Sequence, residues 1–195
     1  IGHSPFWLKK RLEQSGIRSV NLIVDLTNYV MLEMGQPIHA YDKRFIRGSK
    51  IHVRSAKEHE KLVPIDGQTV ALKVNDILIC DEQGPIGLAG VMGGKNSEVR
   101  DSTTSIVVEV AHFDPIQIRK TSKRCGFHTE ASHRFERGID ITNLKKVASR
   151  FVDLLSKTQQ TQTHSENSLV ARLTSDLELL SFSPKRIALR IERAK

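Results

Sequence analysis

Residues 21–33 form a segment with almost no polar side. Leu22, Ile23, Val24, Leu26, Val30, Met31 and Leu32 surround a helix wound through it. Such a helix belongs inside a layered fold, covered by other elements. Gly35 stands where it can end that helix. Thr27 and Asn28 then become polar groups on a buried element, where they need partners or a cavity with water. Ahead of it, Ser4 reads as an N-cap with Pro5 at the first helical position. Phe6, Leu8 and Leu12 supply its apolar contacts, and Gly16 its end.

From Pro37 to Val110 the pattern changes to short strands. Val63-Pro64-Ile65 and Thr69 to Leu72 flank Asp66-Gly67, a hairpin turn signal. Ile77 to Cys80 follows an Asn75-Asp76 turn, and Ile86 to Val91 follows Gln83-Gly84. Ile106 to Val110 is an apolar run broken only by Glu109. Strands this apolar suit sheets covered on both faces. Beyond them, Asp114-Pro115 starts a helix that ends near Gly126, with Gln117 placed as in a capping box. Asp140 caps a last helix, on which Leu144, Val147, Ala148, Phe151, Val152 and Leu155 share one face. The polar stretch 157–168 reads as a linker. The expected class is α+β, with helices packed on a mixed or antiparallel sheet.

Charge narrows the range of partners. The net charge is +8. Residues 115–150 hold nine Lys and Arg against three acids, a surplus of six. A clustered basic surface suits phosphate-rich partners, and it equally suits a solvated face. No apolar run approaches the length of a membrane span. Cys80 and Cys125 have no close spacing and read as reduced core thiols of a cytoplasmic protein. The start at Ile1 and the stop at Lys195 are those expected of a piece cut from a longer chain.

Familiar motifs were weighed and rejected. The run Gly87 to Asn96 fails as a phosphate loop, because Ala89 and Asn96 stand where that loop requires Gly and Ser or Thr. It reads instead as backbone packed close to a ligand, or as a tight turn. His128 and His133 are five apart, which suits no zinc arrangement, and no metal site is expected. No GxSxG elbow is present.

Glu109 is the residue that most needs an explanation. A carboxylate inside a buried strand must be paired, protonated or open to a cavity. Two readings remain: an ion pair with a nearby Arg or Lys, or an acceptor for a hydroxyl at the floor of an apolar pocket.

Three segments carry a family resemblance. They are Val24 to Glu33 continued by Gly35 to Asp42, Gly87 to Gly94, and Gly126 to Gly138. In this order and approximate spacing they resemble the phenylalanyl-tRNA synthetase β-subunit family, over about residues 4–155. The resemblance implies residues 1–156 as a single editing domain, 157–182 as a linker, and 183–195 as the truncated start of the next domain. It also implies a post-transfer editing site that hydrolyses tyrosine wrongly attached to the 3′ end of tRNA(Phe). The family's functional positions fall here on Thr27, Asn28, His39, Ala89, Gly90, Gly93, Glu109, Thr129 and Ala131. Tyr41 and Phe127 are conservative changes outside that set.

The physical logic fits these residues. Tyrosine is phenylalanine plus one hydroxyl, and an apolar pocket rejects such an analogue only by roughly a hundredfold. A site that hydrogen-bonds the hydroxyl discriminates far better, because phenylalanine leaves its polar group unpaired. Glu109 is assigned that task. Ala89, Gly90, Gly93 and Ala131 leave room for a ring, with Thr129 beside them as a further substrate-binding position. His39 is assigned to orient substrate or water, with Thr27 and Asn28 completing the polar wall; a buried structural histidine is the plain alternative. No cofactor is implied for this piece. For the whole synthetase the resemblance implies Mg2+ and ATP, and an α-subunit partner in an α2β2 enzyme. A non-catalytic tRNA-binding module, or a piece inactive on its own, are the competing expectations.

Overall fold

Leu8 and Leu12, one turn apart and fully buried, anchor α1 (Phe6–Gln14). Its start differs from expectation: Pro5, extended at ψ 155°, takes the N-cap position without a side-chain bond. Ser4 is drawn elsewhere. Its hydroxyl donates to the buried carboxylate of Asp25 at 2.5 Å, which also accepts from the Ser19 hydroxyl and the Val20 N–H. Those three bonds satisfy a carboxylate that the apolar helix would otherwise strand. α2 (Leu22–Met34) begins with the Asn21 side chain accepting from the Val24 N–H, and ends at Gly35 with φ 72°.

The computed structural model describes residues 1–162, with side chains to Thr158. Eight strands follow α2: β1 (His39–Asp42), β2 (His52–Ser55), β3 (Lys61–Leu62), β4 (Val70–Ala71), β5 (Ile77–Cys80), β6 (Pro85–Leu88), β7 (Met92–Gly93) and β8 (Ile106–Glu109). β2, β5, β6 and β7 form a four-stranded antiparallel sheet in that order. β1 pairs with β8, and β3 with β4, both antiparallel. No parallel pair occurs among the described strands, which settles the expected class as α+β with antiparallel sheets. α3 (Pro115–Cys125), α4 (Glu130–Phe135) and α5 (Leu144–Gln162) complete the fold.

The ribbon of β1 and β8 lies between two cores. Ala40, Ile106 and Val108 face the helical core, with Leu8, Leu26, Val30, Val147 and Phe151. Tyr41 and Val107 face the sheet core, with Ile79, Ile86, Leu88, Phe113 and Phe135. Cover on both faces is why β8 is so apolar.

Several boundaries moved. The strand expected to reach Val91 stops at Leu88, because Gly90 turns the chain with φ 65°. The arms expected around Asp66-Gly67 pair further out, Lys61 with Ala71 and Leu62 with Val70. Val63 and Ile65 bond instead to the backbone at Lys95 and Gly93. α5 runs to Gln162, into the stretch read as a linker, because the helix carries on past its apolar face. The expected start of a next domain at 183 lies outside the described residues.

Candidate active site

Cross-strand register sets the chemical centre. His39 lies directly opposite Glu109, and Tyr41 opposite Val107. Residues two apart share a strand face, so His39 and Tyr41 project together, with Tyr41 on the diagonal to Glu109. The Tyr41 hydroxyl donates to Glu109 Oε2 at 2.5 Å. The His39 and Tyr41 rings meet edge to face, with centroids 4.5 Å apart and planes at 82°.

These side chains open on a narrow cavity of about 70 Å³. Its remaining walls are mostly apolar, with Ile38, Ile79, Leu88, Val91, Met92 and Phe135 among them. Ala89, Gly90, Gly93 and Ala131 line it as well. Such a space is well below the roughly 300–1,000 Å³ usual for small-molecule pockets.

The smallness of the glycines has a geometric cause. A Cβ on Gly93 would stand 2.4 Å from His39 Nε2. A Cβ on Gly90, whose φ of 65° already disfavours a side chain, would meet Phe113 and Phe135 at 3.0 Å. Larger residues at either position therefore displace the imidazole or the wall.

Electrostatics separate the two polar groups. Burial holds the His39 imidazole down to about 4, so it is neutral at neutral pH. Its Nε2 is buried and has no hydrogen-bond partner among the described residues. Burial pushes the Glu109 carboxyl above the usual carboxylate range, and the bond from Tyr41 opposes that rise. No Arg or Lys pairs with Glu109 among the described ion pairs. Of the two readings open at the sequence level, the ion pair is therefore not the one found.

Three expected positions lie off the cavity wall. Thr27 is buried on α2 and its hydroxyl donates back to the Val24 carbonyl at 2.7 Å, a local helix bond. Asn28 follows it on the same helix and is not among the lining residues. Thr129 caps α4 in a reciprocal capping box with Ser132. Its hydroxyl also donates to the Val91 carbonyl at 2.9 Å, which ties the helix carrying Ala131 to the glycine-rich turn.

A family model described as "B3/4 domain" matches residues 1–160. The chain belongs to the B3/4 domain family. Among its relatives is a phenylalanine–tRNA ligase beta subunit of Protochlamydia amoebophila, 53% identical over 155 residues, covering 80% of this chain and 19% of that protein. The beta subunit of Streptomyces avermitilis is 52% identical, over 78% of this chain and 18% of that protein. That of Thermotoga maritima is 40% identical over 99% of this chain and 24% of that protein. The B3/4 domain chain thus spans about a fifth of the length of the curated relatives it matches.

A second surface of the B3/4 domain concerns charge. Arg119, Lys120, Lys123 and Arg124 on α3, with Pro115, Ile116 and Glu136, line a groove of about 580 Å³. Arg124 pairs with Asp76, whereas Arg119, Lys120 and Lys123 have no ion pair among the described residues. Among those residues no group of three or more His, Cys, Asp or Glu is arranged to hold a metal ion. No described helix is long and apolar enough to cross a membrane.

The family resemblance gives Tyr41 no functional role. The signal that points to it is local: a Tyr two residues after His39 on a buried strand must find a partner for its hydroxyl.

Proposed function

We propose that this B3/4 domain is the post-transfer editing module of a phenylalanine–tRNA ligase beta subunit, hydrolysing Tyr-tRNA(Phe) at the aminoacyl ester. One observation carries the reading. An unpaired-by-cation carboxylate, Glu109, stands in an apolar slot sized for a single side chain, opposite a neutral histidine with a free buried nitrogen.

The slot takes the tyrosine side chain, and its phenol donates to Glu109. Phenylalanine leaves that carboxylate desolvated with Tyr41 as its one donor among the described residues, which costs about 1–3 kcal/mol or more for a charged group. The ester then lies toward His39. Water adds to the ester carbonyl, the bond to the terminal ribose oxygen breaks, that oxygen takes up the proton released by the water to become a hydroxyl, and tyrosine leaves as the acid. An imidazole held at about 4 is a weak base at neutral pH, so His39 accepts a hydrogen bond from water and aims it. Positioning is sufficient for much of the rate, because an aminoacyl ester is already reactive. Thr129 supports the wall through the Val91 carbonyl. Thr27 and Asn28, on the helix packed against β1, belong to the frame behind His39.

The groove on α3 favours a companion reading, in which the domain also holds the phosphodiester backbone of tRNA(Phe) through Arg119, Lys120 and Lys123. In the complete α2β2 synthetase the α-subunit supplies aminoacylation with ATP and Mg2+. The hydrolysis above draws on this chain's own residues.

The test is deacylation of Tyr-tRNA(Phe) and Phe-tRNA(Phe) by this chain and by the complete synthetase in parallel. Faster loss of tyrosine than of phenylalanine supports the reading. Salt-dependent tRNA binding with no deacylation by either protein leaves a binding module instead.

A further inference from the structure

Glu109 offers two oxygens, and only one of them is spoken for. Oε2 receives the Tyr41 hydroxyl, and no other donor among the described residues reaches the carboxylate. Tyr41 is itself almost completely buried, at 2% exposure, so its hydroxyl has no solvent to turn to. Its ring is wedged between the His39 imidazole and the sheet core. Opposite, Gly87 gives it room: a Cβ there would lie 3.3 Å from the Tyr41 hydroxyl. The phenol is thus clamped by its neighbours while it holds the carboxylate.

We propose that Tyr41 is a specificity-determining positioning residue, whose hydroxyl holds Oε2 of Glu109 and leaves Oε1 as the single acceptor presented to an incoming ligand hydroxyl. This rests on the editing reading above. A free carboxylate in an apolar slot would swing about its side-chain torsions and take up a proton. A proton on the carboxyl turns an acceptor into a donor, and the preference for a phenol over a benzene ring fades. Tyr41 opposes both changes, since a hydrogen bond to the ionised form favours that form. The titratable groups that face Glu109 are Tyr41 and His39, both from β1. The lining residues from β5, β6, β7, the turn at Ala89–Val91 and α4 are Ile79, Leu88, Ala89, Gly90, Val91, Met92, Gly93, Ala131 and Phe135, none of which titrates.

Tyr41→Phe isolates the hydroxyl, because the ring and its packing on His39 are kept. The selectivity ratio, Tyr-tRNA(Phe) over Phe-tRNA(Phe) deacylation, is measured in this chain against pH for wild type, Tyr41→Phe and Glu109→Gln. In wild type the ratio falls as pH drops through the Glu109 titration. In Tyr41→Phe that fall moves to higher pH, and the ratio at neutral pH drops about tenfold, the worth of one hydrogen bond to a charged group. Glu109→Gln has a low ratio without that titration. In parallel, the Glu109 side-chain carboxyl is titrated by 13C NMR in wild type and Tyr41→Phe, a readout that needs no turnover. An upward displacement of its midpoint supports the proposal. An unmoved midpoint overturns it, as does an unchanged ratio in active Tyr41→Phe. A wild type that shows the NMR displacement on mutation yet deacylates nothing, alone or within the synthetase, removes the editing reading instead.

Discussion

At the Glu109 carboxyl, two opposed effects meet within a few ångströms: burial disfavours the charge, and the Tyr41 hydroxyl offsets part of that effect. Under the proposed function the side chain serves to recognise a ligand hydroxyl. Glu109→Ala is expected to cut the preference for Tyr-tRNA(Phe) over Phe-tRNA(Phe) by tenfold or more, roughly one charge-assisted hydrogen bond. Deacylation rates on both substrates check it, and equal selectivity in the variant rejects the role. His39 gives a separate pH signature. Its folded value, about 4, lies below the ordinary 6.5 of a free imidazole. Between those two values the unfolded chain binds the extra proton, so stability falls as pH is lowered from about 6.5 to about 4. The full loss is on the order of 3 kcal/mol. Asp42 and Glu60 are held to about 2, chiefly by hydrogen bonds from Arg44 and Arg54, and their contributions fade only below about pH 4.5. Urea unfolding at pH 7 and pH 5 is thus expected to show a decline that His39→Gln removes.

Among elements, α4 is short and depends on its start. Thr129 and Ser132 exchange bonds there, and Thr129 also holds the Val91 carbonyl. Thr129→Ala is expected to cost about 1–2 kcal/mol, the usual worth of an N-cap, by thermal or denaturant melts. Because α4 carries Ala131 and Phe135 into the cavity, the same variant is expected to lower deacylation beyond what stability explains. α3 has the opposite character: its buried face is small, with Ile118, Thr121 and Ser122, and its outer face is cationic. Reversing Arg119, Lys120 and Lys123 together to Glu is expected to weaken tRNA(Phe) binding uniformly across RNA sequences. The slope of log affinity on log salt is expected to become shallower by about two to three. Filter binding at several salt concentrations measures both, and an unchanged slope removes the groove as a phosphate contact.

For the whole molecule, the ribbon of β1 and β8 is the junction on which the site depends, since it touches both cores. Loosening of the helical layer then reaches the cavity through His39 and Tyr41. This chain covers about a fifth of its relatives' length, and under the proposed function the rest of a synthetase would deliver the tRNA 3′ end to the slot. Deacylation by the isolated chain is expected to be slower than by the complete enzyme, with the same order of preference. A reversed preference in the isolated chain counts against the slot as the source of selectivity.

Local signals in the sequence marked several of the helix ends, though not the start of α4 at Thr129. Asn21, Gly35, Asp114 and Gly126 act where their side chains or lack of one predict, because a cap is decided within four residues, whereas Asp140 caps a 3-10 turn, Ile141–Asn143, that precedes α5 instead of capping α5 itself. Ser4 also departs from expectation, its hydroxyl held by Asp25 on α2. The buried carboxylate of Glu109, the small residues around it and the apolar strands were likewise readable along the chain. Pairing was not. That His39 faces Glu109, that Tyr41 reaches its oxygen diagonally, and that Thr27 turns back on its own helix follow from register and packing. Those contacts join residues up to 70 positions apart, His39 with Glu109 being the widest. Local propensity carries no term for such separations, so only the folded chain decides them.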